Sequence, residues 1–146
     1  MFDAETIKDQ PVIAVTDNEN SIDSFLNIIP TYGSGECTYD LIRRTENSPG
    51  GCMDAMIIQL IDYAKTNGFS SVNMGLAPLS GMEKPDNTAE QIMRFASQKI
   101  GSLKHFQSLH FFKEKYAGQW ENKYLVFDND FDLLQIPAVL AKVMKP

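Results

Sequence analysis

Apolar and polar positions change their period along this chain, and the changes mark its elements. Residues 11–16 (Pro-Val-Ile-Ala-Val-Thr) form a β-rich run that stops at a polar cluster, Asp17, Asn18, Glu19 and Asn20. A second run, residues 22–32, is rich in Ile, Phe and Leu but alternates poorly, and Gly33, Ser34 and Gly35 break it. The two read as strands joined in a hairpin. A third strand over 36–44 alternates well. Cys37, Tyr39, Leu41 and Arg43 fall on one side of it, and Thr38, Asp40, Ile42 and Arg44 on the other.

The period then changes from 2 to 3.6. After a loop over 45–51, Met53, Met56, Ile57, Leu60, Ile61 and Ala64 mark one helical face, and Gly68 reads as the helix's C-terminal stop. Residues 71–76 are a short strand, so strand, helix and strand suggest a parallel crossover. Beyond a loop over 78–87, Thr88 with Gln91 three positions on has capping-box spacing for a helix to about residue 100. Residues 106–116 read as another helix, 120–128 as a last strand and 132–145 as a terminal helix with Pro137 near its first turn. This order predicts an α/β (α+β) domain, a mixed sheet flanked by helices, with the whole of 1–146 as one domain. The order is also similar to that of the GNAT acetyltransferase fold.

Composition narrows the classes. The chain has 146 residues, with 43% hydrophobic and 22% charged, which suits a globular domain with a core of its own. No apolar run is long enough to span a bilayer, and the first residues lack the basic and apolar regions of a signal peptide. The expected location is cytoplasmic. Cys37 and Cys52 have no metal-ligand spacing and read as buried thiols. The net charge of −6 argues against gripping nucleic acid by bulk electrostatics. Charge is uneven, however: acidic residues crowd the first half, while Lys99, Lys104, Lys113 and Lys115 gather later with His105 and His110. An anionic ligand belongs on that later stretch, which from charge alone also reads as a solvated basic face.

Several segments, in order, carry a resemblance to a known family. They are Tyr39, Asp40, Leu41, Ile42, Arg43 and Arg44; Gly51, Cys52, Met53 and Asp54; the run from Asn73 to Gly81 (NMGLAPLSG); Phe106 to Leu109; and Phe112, Lys113, Glu114, Lys115 and Tyr116, followed by Trp120, Lys123, Tyr124 and Leu125. From about residue 12 to 143 the chain resembles the C-terminal catalytic region of the phosphatidylglycerol lysyltransferase family, the second of its two GNAT-like halves. The resemblance implies aminoacyl transfer from aminoacyl-tRNA to a hydroxyl of an anionic phospholipid, at the inner face of a membrane, without a cofactor or a metal. It also implies a partner in a missing first half or a membrane portion. Gly50, Ala117 and Gly118 depart from the family pattern. So does Lys123, which stands where Arg is common and cannot reproduce Arg's bidentate fork.

That chemistry needs a carboxylate for the substrate ammonium, fixed cations for phosphate and a donor for the developing oxyanion. By resemblance Asp40, Arg43 and Lys113 are the candidate catalytic residues. Asp54, Ser80, Gly81, Lys115 and Lys123 are the candidates for substrate binding. Geometry raises an objection: Asp40 and Arg43, three apart on a regular strand, point to opposite faces unless a bulge intervenes. Without the resemblance, Asp40 is a surface carboxylate, Arg43 a snorkelling side chain and Asp54 a helix-dipole acid. Lys113 and Lys115 are two apart on a helix, so one at most enters a given pocket. Ser80 and Gly81 equally suit a plain turn. His105 and His110 invite a general-base reading but lack an acid partner. Phe106, Leu109, Phe112 and Tyr116 suit one packed helix face. Two alternatives stand beside the lipid aminoacyltransferase. One is a CoA-dependent N-acyltransferase, disfavoured because Pro49 removes a backbone donor from the phosphate-cradling loop. The other is a noncatalytic binding or regulatory domain.

Overall fold

A computed structural model describes residues 4–31, 35–77 and 105–124 and the single positions 91, 126, 129, 132, 135, 139 and 142. The chain forms two compact units, Met1–Gly75 and Leu76–Pro146.

The first unit opens with a short helix α1 (Ala4–Ile7). Strands β1 (Val12–Thr16), β2 (Ile22–Ile29) and β3 (Glu36–Arg44) follow, then helix α2 (Cys52–Thr66) and strand β4 (Ser71–Asn73). The sheet runs in the order β1-β2-β3-β4, antiparallel for the first two pairings and parallel for β3 with β4. The expected hairpin and crossover are both present. Asp17 makes the hairpin turn: its carboxylate accepts the backbone N–H of Glu19 and of Ser21, each at 2.8 Å. Asn20 takes the left-handed conformation there (φ 62°), which Asn tolerates better than most residues.

Register assigns the faces. Ile13 pairs with Leu26, Val15 with Ser24, Leu26 with Ile42 and Ile28 with Tyr39, so these residues share one face with Cys37 and Val72. Leu26, Ile28 and Cys37 are buried on it, and α2, which contacts all four strands, covers it with Cys52, Met56, Ile57, Leu60 and Ala64. The helical face read from the sequence is thus the packed one. The helix ends as expected at Gly68 (φ 76°). The N–H of Gly68 donates to Lys65 O at 3.2 Å and that of Phe69 to Ala64 O at 2.9 Å, and the Phe69 ring stacks on Tyr63. Both cysteines are buried free thiols, and burial pushes the Cys37 thiol up from its ordinary value.

One expectation about β3 is overturned. Leu26 pairs with Ile42 but Ile28 pairs with Tyr39, so Asn27 alone faces both Asp40 and Leu41. This is a β-bulge, and it inverts the alternation of the strand beyond it. Tyr39 and Ile42 share the face that α2 covers. Arg43, paired with Phe25, and Thr38, paired with Ile29, share the other.

In the second unit, helix α3 (His105–Glu114) stands where a helix over 106–116 is expected. Residues 120–124 form no strand, which corrects the first part of the strand expected over 120–128; among the described residues they have no ladder partner. Asp132, Gln135, Val139 and Lys142 are helical, within the span expected for the terminal helix. The helix expected from Thr88 falls outside the described residues except at Gln91, which is helical. No helix among the described residues is long and apolar enough to cross a membrane.

Candidate functional site

The bulge decides the geometry of the first unit's candidate residues. Asp40 follows Thr38 by two positions and so falls on the Thr38 face, which beyond the bulge is also the face of Arg43. The opposite-face objection is therefore removed. Both side chains are exposed. Arg43 donates from Nη1 to Ile42 O at 3.0 Å and, with Arg44, Asp23, Phe25 and Thr45, lines an open cavity of about 310 Å³ at the end of β2 and β3. Asp40 does not line that cavity.

Asp54 is half-buried in the first turn of α2, as expected, where the helix dipole favours a carboxylate. The loop over 45–51 joins the end of β3 to this turn. Asp54 thus lies toward the Arg43 end of the strand, but α2 runs on the other face of the sheet from Asp40 and Arg43. No side chain caps the helix: Gly51 occupies the N-cap in the left-handed region (φ 87°), and its carbonyl receives the Ala55 N–H at 2.9 Å.

The segment leaving β4 is fixed to β3. Thr38 Oγ1 donates to Asn73 O at 3.0 Å and the Tyr39 hydroxyl to Met74 O at 3.3 Å. Asn73 Oδ1 receives the Gly75 N–H at 2.7 Å, and Gly75 turns at φ 75°. Burial raises the Tyr39 phenol above its ordinary value, so it stays a neutral donor. Ser80 and Gly81, farther along the same run, lie outside the described residues.

In the second unit Lys113, in the last turn of α3, and Lys115, just beyond its end, differ in burial. Lys113 is buried, 4% exposed, and its Nζ donates to Leu76 O at 2.9 Å. Burial lowers its pKa from the ordinary lysine value. The solvated-face reading is therefore wrong for Lys113: its stem and head are both enclosed, with a carbonyl as partner. Lys115 is exposed and lies 5.4 Å from the centre of the Phe112 ring. Lys123 is exposed and paired with Glu121 at 3.0 Å. Phe112 and Tyr116 meet edge to face, and both are half-buried, as the packed-face reading expects. His110 lies against Trp120, ring centres 4.5 Å apart, with Nδ1 buried and without a hydrogen-bond partner among the described residues. Packing on an aromatic ring accounts for it without a general-base role. The His105 side chain lies outside the described residues.

Sequence reasoning missed Asn27. It is 1% exposed, accepts the Leu41 N–H on Oδ1 at 2.7 Å and donates from Nδ2 to Gln10 Oε1 at 2.6 Å. Its only sequence signal is an Asn inside the apolar run FLNII, together with the poor alternation of that strand.

In sequence and in fold the chain is similar to known proteins. The family described as "Phosphatidylglycerol lysyltransferase, C-terminal" matches residues 1–127. A phosphatidylglycerol lysyltransferase of Bacillus subtilis is 35% identical over 129 residues, covering 86% of this chain and 15% of the relative. That of Staphylococcus aureus is 29% identical over 146 residues, covering 99% of this chain and 17% of the relative. The chain thus spans about one-sixth of the length of these curated relatives. Among solved structures, that of L-PGS from Bacillus licheniformis superimposes with a TM-score of 0.77 at 28% identity, covering 97% of this chain and 45% of that one.

Proposed function

Because the chain belongs to the phosphatidylglycerol lysyltransferase C-terminal family, we propose that it is the second GNAT-like half of a lipid aminoacyltransferase, its two units acting as one domain. It moves a lysyl or similar aminoacyl group from aminoacyl-tRNA to phosphatidylglycerol. The observation that supports this beyond family membership is the bulge in β3, which brings Asp40 and Arg43 to one face of the sheet.

The reaction is a transesterification. A glycerol hydroxyl oxygen of the lipid bonds to the ester carbonyl carbon, the bond from that carbon to the ribose oxygen breaks, and the hydroxyl proton ends on the departing ribose oxygen. Asp40 supplies the carboxylate at the reacting centre, and Arg43 is a fixed cation for phosphate, with a planar fork suited to it. Asp54, which α2 carries on the opposite face of the sheet, stands apart from that pair, and its pairing with the aminoacyl ammonium rests on the resemblance alone. Lys113, whose Nζ donates to Leu76 O, is the candidate cation for the developing oxyanion. Lys115, Lys123, Ser80 and Gly81 contribute to holding the two anionic substrates. The site lies at the inner membrane face, and the remaining length of a relative-sized protein supplies a first half and a membrane portion.

Purified chain is incubated with tRNA charged with radiolabelled lysine and with phosphatidylglycerol vesicles, beside the Asp40→Ala variant. Label enters the lipid with the parent chain and falls by about a hundredfold or more with the variant, the scale of a lost acid–base group. Equal labelling by both removes Asp40 from the site. Binding of acetyl-CoA with no lipid labelling turns the reading toward an N-acyltransferase.

A further inference from the structure

A bulge leaves one strand with a residue too many and disturbs the ladder around it. The N–H of Leu41, one of the two β3 residues opposite Asn27 in the bulge, donates to a side chain. The acceptor is Asn27 Oδ1, which comes from the single β2 residue opposite the bulge. Gln10 fixes the direction of that amide: with Nδ2 donating to Gln10 Oε1, the oxygen faces Leu41. The neighbouring residues Phe25, Leu26, Ile28 and Ile29 are all apolar, so an apolar residue at 27 would suit the strand's composition.

We propose that Asn27 is a positioning residue: its side-chain amide holds the β3 bulge and so keeps Asp40 and Arg43 on one face of the sheet. The proposal rests on reading those two residues as part of the site. Its physical basis is the cost of removing the acceptor that the part-buried Leu41 N–H has in Asn27 Oδ1. With an apolar side chain at 27 nothing from β2 holds the two bulge residues, and a one-residue slip of β3 closes its ladder without the bulge. A one-residue slip exchanges the faces of every side chain on the slipped flank. Regular alternation returns, and Asp40 and Arg43 part to opposite faces.

The test uses the full chain and two variants. Asn27→Leu removes the acceptor. Asn27→Asp keeps an oxygen for Leu41, and the Gln10 amide can turn to donate to it. Amide exchange at Leu41 and the cross-strand proximities of Ile28 are followed by NMR. Lysyl transfer to phosphatidylglycerol is resolved into kcat and KM, with Asp40→Ala alongside. Asn27→Leu is expected to lose the Ile28–Tyr39 pairing and to speed Leu41 exchange by about tenfold or more, as the loss of one buried hydrogen bond implies. Its kcat falls by a similar factor while KM moves little, because the reacting groups are displaced rather than a substrate contact removed. Asn27→Asp is expected to keep the pairing and most of kcat.

Parental pairing and a protected Leu41 amide in Asn27→Leu would overturn the proposal. So would a parental kcat in Asn27→Leu when Asp40→Ala has lost transfer. If Asn27→Leu does not fold, Asn27→Asp decides: retained pairing with Leu41 protected supports the role, and loss of either overturns it. If Asp40→Ala retains full transfer, the site reading has failed, and the NMR comparison alone then decides whether Asn27 holds the bulge.

Discussion

At the residue scale, Lys113 shows how far spacing carries and where it stops. Two lysines two apart on a helix must diverge; here α3 ends at Glu114, between them, and one is buried while the other is exposed. Spacing does not say which one goes inward, because that depends on what closes over each stem. The chain encloses Lys113, and among the described residues its ammonium meets one carbonyl, that of Leu76. This has a pH consequence. Burial lowers the folded-state pKa of Lys113 below its unfolded value of about 10.5, so between those two values the unfolded chain binds more protons. Stability therefore gains from this group as pH rises through that window. In Lys113→Met the gain is absent, and Leu76 O loses its donor, at a cost of about 1–3 kcal/mol. Urea unfolding of parent and variant at about pH 7 and about pH 10 should show their stability difference widening at the higher pH. A difference that stays flat means that the ammonium is not desolvated.

At the element scale, α2 was the most legible part of the chain, because a helix with one apolar face announces both its period and its packed side. Its C-terminus was equally legible, since a Gly after Asn67 is a conformational requirement: the chain there turns left-handed. A Cβ at Gly68 would meet nothing within 4 Å, so the cost of Gly68→Ala is backbone strain alone. We expect a loss of about 1–2 kcal/mol, read from the urea midpoint, and a smaller one for Gly68→Asn. Leu60→Ala, by contrast, empties a fully buried position under the sheet and is expected to cost about 2–5 kcal/mol. A smaller loss for Leu60→Ala than for Gly68→Ala, in the same titration, would mean that α2 does not seal the core. Strand β3 was half legible. Its bounds, Glu36–Arg44, follow from alternation, but its faces do not. Alternation is a rule within one strand, whereas the bulge is a property of two, set by a polar side chain on β2. For the same reason the candidate pair Asp40 and Arg43 could be named from the resemblance but not oriented.

At the scale of the whole molecule, charge opposes the substrates that the family implies. The chain carries −6, while a tRNA terminus and a phosphatidylglycerol surface are both anionic. The chain's overall field therefore repels such substrates, and under the proposed function recognition falls to fixed local cations such as Arg43. Flotation with vesicles tests this directly. The isolated chain should bind phosphatidylglycerol vesicles no better than phosphatidylcholine vesicles at low salt. Any association that does occur should strengthen as salt screens the repulsion, since at about 0.1 M the screening length is only about 10 Å. Binding that is stronger on anionic vesicles and weakens with salt would instead place recruitment on the lysines and Arg94 of the stretch from 94 to 123. That would give this stretch a job in capture that its composition suggests and the net charge opposes. The expected result assigns capture to the rest of a relative-sized protein, of which this chain spans about one-sixth, and leaves to the chain the short-range placement of the reacting groups.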